Sequence, residues 1–157
     1  MISFSVAFDP NKGIGLNGSL PWHIKEELKL FKANTMGHTI IMGRTTYEGL
    51  PRKLVGRKIV VVTRDSSYSV DDPDCMVVND LEEYLKEHAN DDEEIIVCGG
   101  ATIYKQSYKY ASKAYVSFVK KEYETDTKFN EFNLDEWKVT SEVEYEEFIY
   151  RELERKN

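Results

Sequence analysis

The sequence predicts an α/β fold whose sheet is parallel over most of its width and closed at one edge by a C-terminal antiparallel hairpin. Three observations predict it. Strand-like and helix-like segments alternate through residue 109, after which only strand-like segments remain. The runs Ile59-Val60-Val61-Val62-Thr63 and Ile95-Ile96-Val97-Cys98 lack polar alternation, as expected of strands buried on both faces. Two last segments, 137–144 and 147–154, meet at Glu144-Tyr145-Glu146-Glu147, which allows a tight hairpin.

Taken in order, residues 2–8 are mostly apolar and read as a buried strand. Residues 9–19 hold three glycines, two asparagines and a proline and read as a loop. Ile14 and Leu16 within it indicate that it folds back over something apolar. A helix over 24–32 follows Leu20-Pro21-Trp22 without a strong N-cap residue, and Thr35-Met36-Gly37 ends it. A strand over 38–42 is cut off by Gly43, and 44–50 is a short helix. Pro51 and Gly56 bracket a turn before the 59–63 strand. A polar loop over 65–74 leads to a short strand at 75–78. Asp80 caps a helix through His88, and an acidic turn at 90–94 precedes the 95–98 strand. Gly99-Gly100 then open a helix over 101–109, with Ile103 and Tyr104 facing in. Residues 113–120 form a strand, and Thr125-Asp126-Thr127 a turn near its end.

The length predicts one domain over 1–157, with enough chain for a real core. No apolar run is long enough to span a bilayer, and the first residues read as a strand, not a signal peptide. Cys75 and Cys98 have neither metal-ligand spacing nor a disulfide framework, so a reducing cytoplasm is expected. The net charge of −7 argues against a nucleic-acid binder. That charge is unevenly spread. Residues 1–64 carry ten Lys and Arg against four Asp and Glu, and the remainder eleven against twenty-four. A basic first part in an acidic protein suits a small anionic ligand bound there.

The helix over 24–32 carries the sharpest local signal. At about 100° per residue, Ile24, Leu28 and Phe31 share one side and Leu30 lies further round. Lys25, Lys29 and Lys32 share the opposite side, with Glu26 near them. Glu27 falls between Phe31 and Leu30, inside the apolar arc. A carboxylate is costly to bury there unless something pairs with it. The bland alternative is a rim glutamate on a marginal helix face.

Two strands run into glycine and then a helix, at Met42-Gly43-Arg44-Thr45 and Cys98-Gly99-Gly100-Ala101-Thr102. Ligands of open α/β sheets bind past the carboxyl ends of strands, where glycine lets the backbone approach closely. The pattern fits a dinucleotide, although no G-x-G-x-x-G is present; plain strand-to-helix turns would look the same. Thr63-Arg64 and Arg44 at the same sheet edge point to a ribose 2′-phosphate, hence NADP over NAD. Arg57 stands at the other end of the third strand and is a further bidentate anion reader.

Together these residues resemble dihydrofolate reductases over essentially the whole chain. The resemblance rests on Ile14-Gly15 followed by Leu20-Pro21-Trp22, on Glu27-Leu28 with Phe31, and on Ile41-Met42-Gly43-Arg44-Thr45-Thr46-Tyr47-Glu48. It continues through Gly56-Arg57, the run from Gly99 to Tyr104, and Asp126-Thr127. It implies an eight-stranded mixed sheet with four helices. It also implies NADPH-dependent reduction of 7,8-dihydrofolate to tetrahydrofolate, which feeds one-carbon metabolism and thymidylate synthesis. Glu27 would be the pocket carboxylate that meets the pterin, forming the catalytic group with Trp22 and Leu20. Leu28, Phe31, Leu50 and Leu54 would wall the aminobenzoyl group, and Arg57 would pair with the glutamate α-carboxylate. Ser5, Val6, Ala7, Lys32, Cys98, Tyr104 and Ser117 would complete the substrate pocket.

For the cofactor, the resemblance implies Ala7, Ile14 and Gly15 along the nicotinamide, Arg44, Thr45, Thr63 and Arg64 at the adenosine phosphates, and Gly99, Gly100, Ala101 and Thr102 at the pyrophosphate. Asn17, Gly18, Leu20, Gly43, Thr46, Cys98 and Ile103 would complete the cofactor site, and the carbonyl of Cys98 would face the pterin. No metal is implied. The 9–23 loop would be the lid. The expected partners are dihydrofolate, NADPH and antifolate inhibitors, with no nucleic acid and no membrane, for a cytoplasmic monomer.

Several positions depart from the family's commonest pattern. Glu27 stands where bacterial members usually carry aspartate, Lys25 where proline is common, and Ser5 where an aliphatic residue is usual. Thr125 replaces a glycine, and the final hairpin is short, so contacts from a longer hairpin to the lid are not expected. Two competing functions remain in view. One is the reductase of the same fold that acts on a ribosylated pyrimidine of riboflavin synthesis, which would need neither Glu27 nor Pro21-Trp22. The other is a pteridine or nucleotide carrier without turnover, for which a damaged catalytic position would be expected; none is seen.

Overall fold

A computed structural model describes residues 1–156. In chain order the strands are β1 (Ile2–Phe8), β2 (Gly13–Gly15), β3 (Thr39–Gly43), β4 (Lys58–Val62), β5 (Cys75–Val78), β6 (Ile95–Val97), β7 (Ala111–Val119), β8 (Thr127–Lys128), β9 (Trp137–Glu144) and β10 (Phe148–Arg155). The helices are α1 (Lys25–Thr35), α2 (Arg44–Glu48), α3 (Leu81–His88) and α4 (Ala101–Ser107). Eight strands form one sheet in the order β5-β4-β3-β6-β1-β7-β10-β9. From β5 to β7 every pairing is parallel; β10 runs antiparallel to β7 and to β9. The expected mixed sheet with its closing hairpin is therefore the observed one.

Strand alternation gives β1 two different faces. Ile2, Phe4, Val6 and Phe8 enter a continuous core with Leu81 and Leu85 of α3, Ile103 and Tyr104 of α4, and Phe129, Phe132 and Trp137. The other face, which carries Ser3, Ser5 and Ala7, is divided. Ala7, Trp22, Ile24, Val119, Phe148 and Tyr150 pack on one side. Ile40, Met42, Ile59, Val61 and Ile96 pack on the other. Of the partly buried residues, Tyr115 borders both clusters. A sheet face whose apolar packing is interrupted in the middle leaves a cleft there.

α1 crosses this divided face and runs to Thr35, at the expected Thr35-Met36-Gly37 stop. Its last turn is held by side chains. Thr35 Oγ1 donates to Phe31 O at 2.7 Å and accepts from Arg57 at 3.2 Å. Asn34 Nδ2 donates to the Tyr150 hydroxyl at 3.0 Å. α1 has no capping side chain, whereas Asp80 caps α3 by accepting from Glu83 N at 3.1 Å. α2 stops at Glu48, two residues short of expectation, ahead of Pro51, and α4 passes into a 3-10 turn over Tyr108–Tyr110.

The 9–19 segment is not wholly loop. Gly13–Gly15 pairs with Thr127–Lys128 as a separate two-stranded sheet. Such short pairing leaves no periodicity to read, because two or three residues cannot show alternation.

Candidate active site

β1, β3, β4 and β6 are parallel, so their carboxyl ends share one edge. The two glycine-opened junctions lie side by side there: Gly43 N donates to Gly99 O at 2.9 Å. A Cβ on Gly43 would lie 3.2 Å from Ile103 Cγ1, and one on Gly100 3.4 Å from Thr46 Oγ1. Gly99 has φ +109°, a conformation suited to glycine, and a Cβ there would press on the Tyr104 ring at 3.3 Å. The Gly99–Gly100 peptide is cis. Backbone therefore reaches this edge bare, as a cradle for a long polar ligand requires.

Glu27 is partly buried on α1 above the cleft. Burial raises its carboxyl from 4.5 to about 7, and the neighbouring Ser117 hydroxyl acts in the opposite direction. Ser117 lies in register with Ala7 on one side and Tyr150 on the other. Nearby, Trp22 is buried and packs edge-on to Tyr123 at 5.4 Å between ring centroids. Its Nε1 has no hydrogen-bond partner among the described residues. A buried donor without a partner is costly, so it suits a site completed by ligand or water.

The apolar stripe of α1 does not enter the core as a globular helix would. Leu28 is 42% exposed and Phe31 only partly buried; Thr35 is the one buried residue of the helix. Leu28 and Phe31 thus stand open between Glu27 and Arg57. Leu50 and Leu54 are partly buried beside the Met42 cluster. Arg57 is buried, donates through Nε to Val55 O at 3.2 Å and through its other arm to Thr35, and pairs with no carboxylate among the described residues. Burial lowers its guanidinium from the ordinary value. Thr35 is eight positions beyond Glu27, which is about 12 Å of helix. A ligand spanning them needs hydrogen-bond donors at one end, an apolar middle and an anion at the other. A cavity of 310 Å³ among Gly37, His38, Lys58, Asp74 and Glu93 also touches Arg57, but it opens at the opposite edge of the sheet from the glycine junctions.

The 9–23 segment, the expected lid, is tied down at its start and its middle. Asp9, only 2% exposed, accepts from Asn11 N at 2.9 Å, Gly13 N at 2.8 Å and Tyr123 N at 3.1 Å. Asp126 accepts from Asn17 N and donates its own amide to Gly15 O, each at 2.9 Å. The lid tip reaches α2, where a Cβ on Gly49 would be 3.9 Å from Gly18 O. Leu20 is exposed on this segment. Asp9 was missed from sequence; its signal was the Asp-Pro-Asn turn, whose side chain bonds the backbone two residues on.

Most expected residues converge on the cleft, some by main chain alone. Val6 and Ile103 turn their side chains into the opposite core, as strand and helix geometry dictate. Tyr104 is also in that core, with its hydroxyl donating to Ser5 O at 2.7 Å. Ser5 and Ala7 lie on the cleft face. Lys32 is exposed and the structure does not bring it to the others. The short hairpin still reaches the lid region: Phe148 is in the Trp22 cluster, with Tyr145 stacked on it at 4.6 Å. Arg44 sits at the glycine edge over the ring of Tyr68, a residue the sequence did not single out; Thr45 and Thr46 follow it, and Thr63 and Arg64 follow β4.

A partly buried acid on the helix over a sheet face, with bare glycine junctions at the carboxyl edge of the parallel strands, fits the class of dinucleotide-dependent oxidoreductases. A sequence model described as dihydrofolate reductase matches residues 1–153. The chain is 41% identical over 143 residues to the dihydrofolate reductase of Bacillus subtilis (strain 168), covering 90% of this chain and 82% of that one. It is 36% identical over 138 residues to the dihydrofolate reductase of Mycoplasma genitalium, covering 86% of each. A solved structure of dihydrofolate reductase from Enterococcus faecalis complexed with NADP(H) and RAB-propyl superposes with a TM-score of 0.88 at 27% identity, covering 100% of this chain and 97% of that one. The chain belongs to the dihydrofolate reductase family, and its reaction is the NADPH-dependent reduction of dihydrofolate.

Proposed function

We propose that this chain's cleft reduces 7,8-dihydrofolate to 5,6,7,8-tetrahydrofolate with the residues in the following roles. The observation that carries the reading is the spacing of a neutralisable carboxyl at Glu27 and an unpaired buried guanidinium at Arg57, with Leu28 and Phe31 open between them. Glu27 accepts hydrogen bonds from the pterin amino group and N3. A carboxyl poised near neutrality can also favour protonation at N5, relayed by a water on Trp22 Nε1. Leu28, Phe31, Leu50 and Leu54 enclose the aminobenzoyl ring, and Arg57 pairs with the α-carboxylate. Ala7, Ile14, Gly15 and Leu20 exclude water around the nicotinamide, with the lid held by Asp9 and Asp126. Gly43, Gly99 and Gly100 admit the pyrophosphate, and Arg44, Thr45, Thr63 and Arg64 face the adenosine end. NADPH, when bound, supplies the hydride to pterin C6.

Two free cysteines support a reducing compartment, and no helix among the described residues is long and apolar enough to cross a membrane. The chain is read as a cytoplasmic monomer. Absorbance of NADPH with dihydrofolate as substrate tests the assignment. Loss of NADPH absorbance at a rate that falls in Glu27→Gln supports it; tight antifolate binding without turnover, or turnover only with the ribosylated pyrimidine, overturns it.

A further inference from the structure

The edge assigned to the adenosine end carries an acid that the reaction does not use. Arg44, the first of its two arginines, is already engaged within the chain. Its NH1 lies 3.2 Å from Asp65 Oδ2, its Nε 3.4 Å from Glu48 Oε1, and its guanidinium 4.1 Å above the Tyr68 ring.

Asp65 lies at the surface, as Arg44 does, but its own turn holds it in place. Its Oδ1 accepts from Ser67 N at 3.0 Å and from Ser67 Oγ at 2.6 Å, and its amide donates to Thr63 Oγ1 at 3.2 Å. Asn79 Nδ2 bridges the carbonyls of Thr63 and Asp65 at 2.8 and 3.3 Å. The turn after β4 therefore aims Oδ2 at Arg44. The Ser67 bonds, with Arg44 behind them, hold the Asp65 carboxyl below the usual carboxylate range, so it is an anion at neutral pH.

The charges then cancel. Arg44 and Arg64 contribute two positive charges, and Asp65 and Glu48 two negative ones. A 2′-phosphate approaching Arg44 must displace Asp65 or sit against it, and like charges in contact repel. A ribose 2′-hydroxyl meets no such opposition and can donate to the same carboxylate, as acids near strand ends do in NAD-binding sheets. Arg64 makes no ion pair among the described residues, so it alone is left to attract the phosphate.

We infer that Asp65 is a specificity-determining residue of the cofactor site: its ion pair with Arg44 offsets the charge that would single out a 2′-phosphate, so the site accepts NADH alongside NADPH. This rests on reading the Arg44–Arg64 edge as the adenosine end.

Calorimetric titration with 2′,5′-ADP and 5′-AMP, the adenosine halves of the two cofactors, tests it without turnover. Asp65→Asn, with Asp65→Ser as a second variant, is expected to tighten 2′,5′-ADP about tenfold, equivalent to about 1.4 kcal/mol, while 5′-AMP is unchanged or weakened. Dihydrofolate reduction with NADH is expected in the parent protein and is expected to fall relative to NADPH in both variants. An unchanged 2′,5′-ADP to 5′-AMP ratio in both Asp65 variants, with the ratio lowered by Arg64→Ala, overturns the role of Asp65 and leaves the adenosine assignment standing. A ratio indifferent to Arg64→Ala as well overturns the assignment of this edge and the inference with it.

Discussion

Thr125 fills the volume that a side chain at residue 13 would need: a Cβ built on Gly13 would lie 2.5 Å from Thr125 Oγ1 and 2.8 Å from its Cβ. Thr125 stands where the family usually has glycine, and glycine occupies the facing position on β2. The two positions form one knob and one hole. Gly13→Ala is expected to cost roughly 1–3 kcal/mol by overpacking, read as a fall in Tm. The double variant Gly13→Ala/Thr125→Gly should recover most of that loss. A double variant no more stable than Gly13→Ala would show that the two sites do not couple.

Glu27 links stability to pH with a definite sign. Its folded value, about 7, lies above the ordinary 4.5, so between the two the folded chain holds a proton that the unfolded chain has released. Its contribution is fully present below 4.5 and is lost as pH rises through about 7. Glu27→Gln should therefore match the parent protein near pH 4 and exceed it by up to about 3 kcal/mol near pH 8. Thermal unfolding across that range measures the gap. Turnover of the same variant is expected to fall at neutral pH and to recover in part at low pH. Glu26, one residue away and ion-paired to Lys29 on the exposed side, serves as control and should be dispensable.

Arg57→Met should raise the KM for dihydrofolate by about 10²-fold or more, since truncating one side of a buried charge pair costs roughly 2–5 kcal/mol. Affinity for NADPH should stay within about twofold, because Arg57 lies at the other end of β4 from Arg64. Fluorescence titration with NADPH alongside steady-state kinetics separates the two effects. A matching loss for both ligands would place Arg57 in scaffolding.

Trp22→Phe keeps an aromatic ring against Tyr123 and removes the Nε1 donor. Little change in Tm is expected, with a clear drop in turnover that deepens as pH rises. A large fall in Tm with an unchanged pH profile would mean that the ring, not the donor, is what the site uses.

The strands at the centre of the sheet were legible because burial on both faces leaves uninterrupted β-branched runs, as in Ile59 to Val62. Glu27 was legible because helical spacing says which residues share a face. Spacing does not say what lies opposite that face, so the exposure of Leu28 had to come from the fold. The β2–β8 pairing and the Arg44–Asp65 contact were not legible. Both join segments through loop paths, and a loop path is set by main-chain bonds such as those of Asp9 and Asn79, which carry no periodic signal.

α1 is anchored at its ends and little in between: Ile24 and Trp22 hold its start, Asn34 and Thr35 its finish, and residues 25–33 are exposed or only partly covered. Most of a helix's stability in a folded protein comes from packing, and α1 has little of it. The span from Lys25 to Ala33 therefore opens by local fraying more readily than the β1, β3 and β6 strands beneath it. On the proposed function, substrate would act as a temporary piece of hydrophobic core. Its binding should slow amide hydrogen exchange across that span far more than in the sheet, a protection pattern that a preformed, rigid groove would not show.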